Sequence, residues 1–318
     1  MRIYMPTRIP ALLTATACLM MTLSAPAQVW ASAQPTADQA PAVQCMKPGT
    51  QWPASWYEPF PAHQIIGPLY AVGGVDLSVF LITSDQGHIL INTALADSTA
   101  FIKNNVEALG FNFSDIRVIL TTQAHFDHTA AMQEIKTLTG AQVWATPADA
   151  QVLEDGGASD AHFGNCIEFR FAPVTVERIL TDGEILHIGG QRIQVHFHPG
   201  HTAGSASYSL KVTEGDETYD VLIANMGTIN PGKKMLHKPT YPGVAEDFAQ
   251  TFHRQKNLAV DVWVAAHASQ YQRDQKYSAG QPYAPGTFVD PEGFKQEVER
   301  LEKIYLQQLK TERDEMKP

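Results

Sequence analysis

Within ten residues, from Thr121 to Ala130, the chain carries His125, Asp127 and His128. Imidazole is the commonest metal ligand, and a carboxylate among imidazoles suits zinc when one coordination position stays open for water. The three residues lie so close together that they diverge from one tight turn, and such a turn can feed two adjacent metals. Two positions before His125 stands Gln123, an amide where a further ligand would sit. Two other segments contribute histidines: His198-Pro199-Gly200-His201 and His267-Ala268-Ser269. A lone histidine near a strand end is usually a hydrogen-bonded surface or core residue. Three such segments in one chain point instead to a metal site, where zinc would lower the pKa of a bound water to about 7 and make it a nucleophile. Ser205 and Ser207 do not sit in a G-x-S-x-G elbow, so covalent acyl transfer is not expected.

These groups need a scaffold, and the hydrophobic pattern supplies one. Leu69 to Val72, Val79 to Thr83 and His88 to Asn92 predict strands, with Asp85-Gln86-Gly87 as the turn between the last two. Asp97 to Leu109 has helical spacing and stops at Gly110. Arg117 to Thr121 predicts a buried strand running straight into the first ligand segment. Thr129 to Thr137 predicts a helix, Gln142 to Ala145 a strand, and Pro147 to Glu154 a short helix opened by proline, before a loop at Asp155-Gly156-Gly157. Further strands are expected at 176–180, 184–188, 193–197, 205–212 and 220–224, then a helix over 244–256, a strand over 261–265 and an amphipathic C-terminal helix with Phe294, Val298, Leu301, Tyr305 and Leu309 on one face. All three histidine segments begin where a predicted strand ends, which is where a rigid sheet presents functional groups. The alternation of strands and helices in two similar halves predicts sheets covered by helices. His196 and His198 share one strand face; they read either as supports for metal ligands or as buried, hydrogen-bonded residues.

The 318 residues carry a formal net charge of -10 and show no Lys/Arg stripe, which argues against nucleic acid and anionic membranes as partners. Arg2 and Arg8, the apolar run from Ala11 to Leu23, and Ala31-Ser32-Ala33 read as a secretory signal over 1–33, with a cut after Ala27 as the alternative. A lipoprotein reading of Cys18 is disfavoured, because Ala15-Thr16-Ala17 matches a lipobox poorly. The expectation is a periplasmic, monomeric protein with no membrane anchor, one domain over 34–318 and a loose Pro/Ala/Gln-rich arm at its start. Cys45 and Cys166 are left as either a disulfide or two free thiols.

The motif Gln123-Ala124-His125-Phe126-Asp127-His128, followed by Pro199-Gly200-His201-Thr202-Ala203-Gly204-Ser205 and a distal His267, resembles the H-x-H-x-D-H signature of the metallo-β-lactamase superfamily, with Gln in its first position. Ser55-Trp56, Gly156-Gly157, His162-Phe163-Gly164, Thr181-Asp182-Gly183-Glu184 and Asn225-Met226 are similar to subclass B3 metallo-β-lactamases that carry that Gln, and the resemblance spans nearly all of 52 to 312. It implies an α/β fold, a four-layer αββα sandwich, with zinc at the sheet edges. It also implies one tight zinc on Asp127, His128 and His267, and a weaker one on His125, His201 and Gln123, because an amide oxygen is a poorer zinc ligand than imidazole. Gln123 could instead be a hydrogen-bond donor behind the ligands.

The implied activity is hydrolysis of the β-lactam amide of penicillins, cephalosporins and carbapenems by zinc-activated hydroxide, with Asp127 orienting the water. Thr228, Asn225, Met226 and His162 are the candidate substrate contacts; Thr228 also reads as a turn residue, and His162 as a solvated loop residue. Fold alone does not name the substrate. An exported lactone hydrolase and a non-catalytic zinc- or ligand-binding protein are the alternatives. Thioesterases and lactonases of this superfamily place a bridging Asp where this chain has Met226, and the same position offers no cysteine ligand of the subclass B1 kind.

Overall fold

Val118, Ile119 and Leu120 show why the strands lack polar alternation: each is almost wholly excluded from solvent, with Val118 and Leu120 facing one hydrophobic cluster and Ile119 another. Such strands are covered on both faces. The computed structural model describes Cys45 and residues 51–317. The secretory signal over 1–33, its cleavage sites, Cys18, and the arm apart from Cys45 lie outside the described residues.

Two sheets form. The first runs in sequence order through β1 (His63–Ile66), β2 (Leu69–Ala71), β3 (Phe80–Ile82), β4 (His88–Ile91), β5 (Ile116–Leu120), β6 (Gln142–Ala145) and β7 (Arg178–Ile179). It is antiparallel to β4 and parallel beyond it. The second holds β8 (Ile185–Ile188), β9 (Gln191–Phe197), β10 (Ala206–Glu214), β11 (Glu217–Ala224) and β12 (Val262–Ala265) in the order β12-β11-β10-β9-β8, with only β11 and β12 parallel.

Helices α1 (Thr99–Ala108), α3 (Met132–Thr139) and α4 (Pro147–Glu154) pack Ile102, Val106, Met132, Ile135 and Leu153 onto the outer face of the first sheet. The long helices α5 (Val244–Lys256) and α7 (Pro291–Glu315) press Phe248, Phe252, Phe294, Val298 and Tyr305 into the core of the second. The result is the expected αββα sandwich.

Local chemistry sets the ends of these elements. Thr146 caps α4 by accepting from the Asp149 amide, with Pro147 at the first turn, and Asp290 caps α7 ahead of Pro291 in the same way. Short helices α2 (Phe126–Thr129) and α6 (Arg273–Lys276) complete the fold. Among the described residues, no helix is long and apolar enough to cross a membrane. Cys45 and Cys166 form a disulfide across 121 residues, which settles the choice the sequence left open.

Candidate metal centre

The first ligand turn is held by buried polar groups. After β5, Asn92 Oδ1 accepts from the Thr122 amide at 2.9 Å and from the hydroxyls of Thr121 and Thr122. The second sheet grips the same turn: Tyr208 donates its hydroxyl to the Thr121 carbonyl at 2.8 Å, and the Ala206 amide donates to that of Thr122 at 2.9 Å. The Thr93 amide donates to the His128 carbonyl at 2.7 Å, and the Thr129 hydroxyl to that of His125 at 2.9 Å. His201 arrives after β9 on a turn that needs Gly200, whose φ is +129° and whose added Cβ would sit 2.8 Å from the Phe248 ring. His267 follows β12, beside an isolated bridge to Leu77.

Two clusters result. In one, Asp127 Oδ2 lies 3.2 Å from His128 Nε2 and 3.4 Å from His267 Nε2. In the other, His125 Nδ1 faces His201 Nε2 at 3.2 Å. Two donor atoms on a tetrahedral zinc, each about 2.0–2.1 Å from it, stand about 3.3 Å apart, so these spacings match a coordination shell. The donor set fits the metal in a second respect. Buried side-chain atoms of the ligand turn lack a hydrogen-bond partner: His128 Nε2, which meets the Asp127 carboxylate outside hydrogen-bond geometry, and the Gln123 amide oxygen, in residues no more than 3% exposed. Unpaired buried polar groups are costly, and a cation would satisfy them.

The far-side ring nitrogens of His267 and His201 are held by hydrogen bonds. His267 Nδ1 is 3.1 Å from Asp76 Oδ2, which also accepts from Trp56 Nε1 at 3.2 Å. His201 Nδ1 lies 2.9 Å from both the carbonyl and the hydroxyl of Thr228. His125 Nε2 lies 3.5 Å from the Asp160 carboxylate. Burial alone would raise the Asp127 pKa, but the neighbouring imidazoles of His128 and His267 hold it well below the usual carboxylate range. Burial works against charge on His267, yet the carboxylates of Asp127 and Asp76 push it up to about 9. Burial, and then the His125 ring, keep His201 well below its ordinary value, so its imidazole is neutral. An aromatic wall flanks both clusters: Trp52 stacks on Trp56 and tilts against Phe126, while Phe163 stacks on Phe169 and meets the His125 ring edge-on.

The structure thus gathers His125, Asp127, His128, His201 and His267 from segments far apart in the chain. The other candidates sit differently. Thr228 is placed as a support of His201. His162 is not the solvated loop residue expected: it is 5% exposed, neither ring nitrogen has a partner, and burial lowers its pKa to about 4. Asn225 and Met226 are each 2% exposed, so their side chains have almost no surface to offer a substrate. His196 and His198 bond the hydroxyls of Ser209 and Ser207, each at 2.7 Å, and line a separate cavity of about 510 Å³ beside α5. Both are hydrogen-bonded, His198 buried and His196 half-buried, and these bonds run to the β10 serines and not to the clusters. Sequence reasoning missed Asp76, Asp160 and Lys233. The Lys233 ammonium is 3% exposed, donates to the His201 carbonyl at 2.9 Å, and is lowered by burial to about 8.

Fold and clusters together define a class: αββα proteins that bring imidazoles and a carboxylate to the strand ends of two facing sheets. Residues 72–214 match the family model of the metallo-beta-lactamase superfamily. The metallo-beta-lactamase GOB-18 from Elizabethkingia meningoseptica is 40% identical, with a TM-score of 0.80 over 85% of this chain and 100% of that one. The class B3 di-zinc metallo-beta-lactamase LRA-12 from an Alaskan soil metagenome is 41% identical, with a TM-score of 0.77 over 85% of this chain and 99% of that one. A hydroxyacylglutathione hydrolase from Mesorhizobium japonicum is 26% identical over 47% of this chain and 53% of that protein. The chain spans about half the length of the curated relatives it matches, 53% and 57% in two cases. The chain belongs to the metallo-beta-lactamase superfamily.

Proposed function

We propose that the protein is a zinc-dependent β-lactamase of the subclass B3 kind, exported to the periplasm, which hydrolyses the amide bond of penicillins, cephalosporins and carbapenems. One observation carries this: the Asp127, His128 and His267 donor atoms lie within 4.8 Å of one another, in a chain 40% identical to GOB-18 along that protein's whole length.

Asp127, His128 and His267 would hold one zinc, and His125, His201 and the Gln123 oxygen a second, weaker one. Zinc, when bound, supplies Lewis acidity and lowers the pKa of water to about 7. The protein's own groups do the rest. Asp127, ionised and buried, orients a water molecule and receives its proton. Asp76 and Thr228 hold His267 and His201 in the orientation that ligation needs. The wall of Trp52, Trp56, Phe126, Phe163 and Phe169 limits water near the reacting carbonyl, which strengthens local electrostatics. Thr228, beside His201, is the candidate contact for the substrate carboxylate.

Similarity to a hydroxyacylglutathione hydrolase favours a second reading, hydrolysis of a thioester or lactone. Met226, standing where those enzymes place a bridging carboxylate, weighs against it. The deciding measurement titrates metal-free protein with zinc while following a chromogenic cephalosporin, an acyl-homoserine lactone and a hydroxyacyl thioester in parallel. Cephalosporin turnover that saturates after one equivalent is expected. Turnover of the lactone or thioester alone overturns the substrate, and zinc binding without turnover of any of them leaves a binding protein.

A further inference from the structure

We propose that Asp160 is a positioning residue whose carboxylate fixes the proton of His125 on Nε2 and frees Nδ1 for the weaker metal. This rests on the metal-binding reading of the His125/His201 cluster and not on the choice of substrate.

The two halves of the Asp160 carboxylate do separate jobs. Oδ1 accepts from the amides of His162 at 2.9 Å and Phe163 at 2.5 Å, which folds the loop back on itself. Oδ2 is then turned to His125 Nε2 at 3.5 Å, with the Asp160 side chain 10% exposed and that of His125 5%. A carboxylate oxygen can only accept, so the nitrogen facing it is best served by carrying the proton. Neutral imidazole has one protonated and one bare nitrogen. A proton on Nε2 therefore leaves a lone pair on Nδ1, the atom that faces His201 Nε2 at 3.2 Å. In the other cluster a carboxylate likewise stands behind a histidine, with Asp76 Oδ2 3.1 Å from His267 Nδ1.

The loop is built to hold Asp160 still. The Gly164 amide donates to the Asp160 carbonyl at 2.9 Å, and a Cβ on Gly164 would lie 2.4 Å from that oxygen and 2.6 Å from the Ala158 carbonyl. The Phe163 ring is stacked on Phe169 at 4.1 Å, and Cys166 is tied to Cys45.

The test uses the full chain with ¹⁵N-labelled histidine. Long-range ¹H–¹⁵N spectra of the metal-free protein in alkaline buffer report the His125 tautomer, and competition with a chromophoric chelator reports both zinc affinities. In the wild type, the expected form is Nε2–H. Asp160→Asn keeps an oxygen for the two loop amides but offers an NH₂ group to Nε2. It should move the proton to Nδ1 and weaken the second zinc by about ten- to a hundred-fold, while the Asp127/His128/His267 zinc stays within about two-fold. A wild-type Nδ1–H tautomer, or an Asp160→Asn protein with unchanged tautomer or unchanged second-zinc affinity, overturns the proposal. Should that variant fail to fold, the wild-type tautomer alone decides. A protein that behaves as expected here but turns over no β-lactam would sink the proposed substrate and leave Asp160 in its role.

Discussion

Gln123 carries a neutral amide oxygen, buried and without a hydrogen-bond partner, which the proposed function assigns to the second zinc. Replacing it with imidazole should strengthen that site. Gln123→His is expected to raise affinity for the second zinc by about ten-fold or more, so that protein dialysed against a weak chelator keeps close to two equivalents instead of one. Unchanged stoichiometry would mean the amide is not what weakens the site. Asp127 stands at the other extreme, an ionised carboxylate shared between two imidazoles. Asp127→Asn removes both the anionic ligand and the proton acceptor, and kcat/KM for a cephalosporin should fall by about 10²- to 10⁴-fold. A smaller loss at saturating zinc would assign water activation to another group.

Among the elements, the loop between α4 and β7 carries Asp160 and His162 and is anchored by the Cys45–Cys166 bond, which closes 121 residues. Cross-links across long loops remove entropy from the unfolded chain, so replacing both cysteines by serine should lower unfolding free energy by about 2–5 kcal/mol in urea titrations. A change near zero would show that the loop is held by its own contacts. Elements with local signals were legible in the sequence. Thr146 and Pro147 mark the start of α4 and Gly110 the stop after α1, and the ligand segments do follow β5, β9 and β12. Elements set by tertiary context were not. Of the helix expected over Thr129 to Thr137, Thr129 closes α2 and the rest starts only at Met132 as α3, which runs on to Thr139 and stops at Gly140 in the left-handed region. The strand expected at 176–180 shrinks to Arg178–Ile179, an exposed pair at the sheet edge. β1 went unseen, since His63-Gln64-Ile65-Ile66 is short and lacks alternation. Asp76 and Asp160 escaped for a related reason: a carboxylate that supports a histidine 191 residues away leaves no spacing to read.

For the whole molecule, the same burial that makes the core also stores acid sensitivity, in histidines that are not candidate metal ligands. His63 stacks on Tyr277 at 4.1 Å, and its Nδ1 lies 3.0 Å from the Pro61 carbonyl. Burial lowers its pKa from 6.5 to about 4, the Pro61 carbonyl opposes this, and the positive Arg273 adds to it. His198, 1% exposed, is lowered by burial to about 3. In both cases the unfolded chain takes up the proton first as pH falls. The stability they contribute is therefore complete above about 6.5 and drains away as pH falls toward about 4, on the order of 3 kcal/mol for His63. His63→Phe keeps an aromatic ring on Tyr277 and cannot titrate. At neutral pH it should be less stable than wild type by about 1 kcal/mol, from the lost bond to Pro61. On acidification the wild type should lose stability faster, so that the two curves converge and cross. Urea unfolding of both proteins across this pH range measures the difference directly, and curves that stay parallel would mean His63 is already charged in the folded protein.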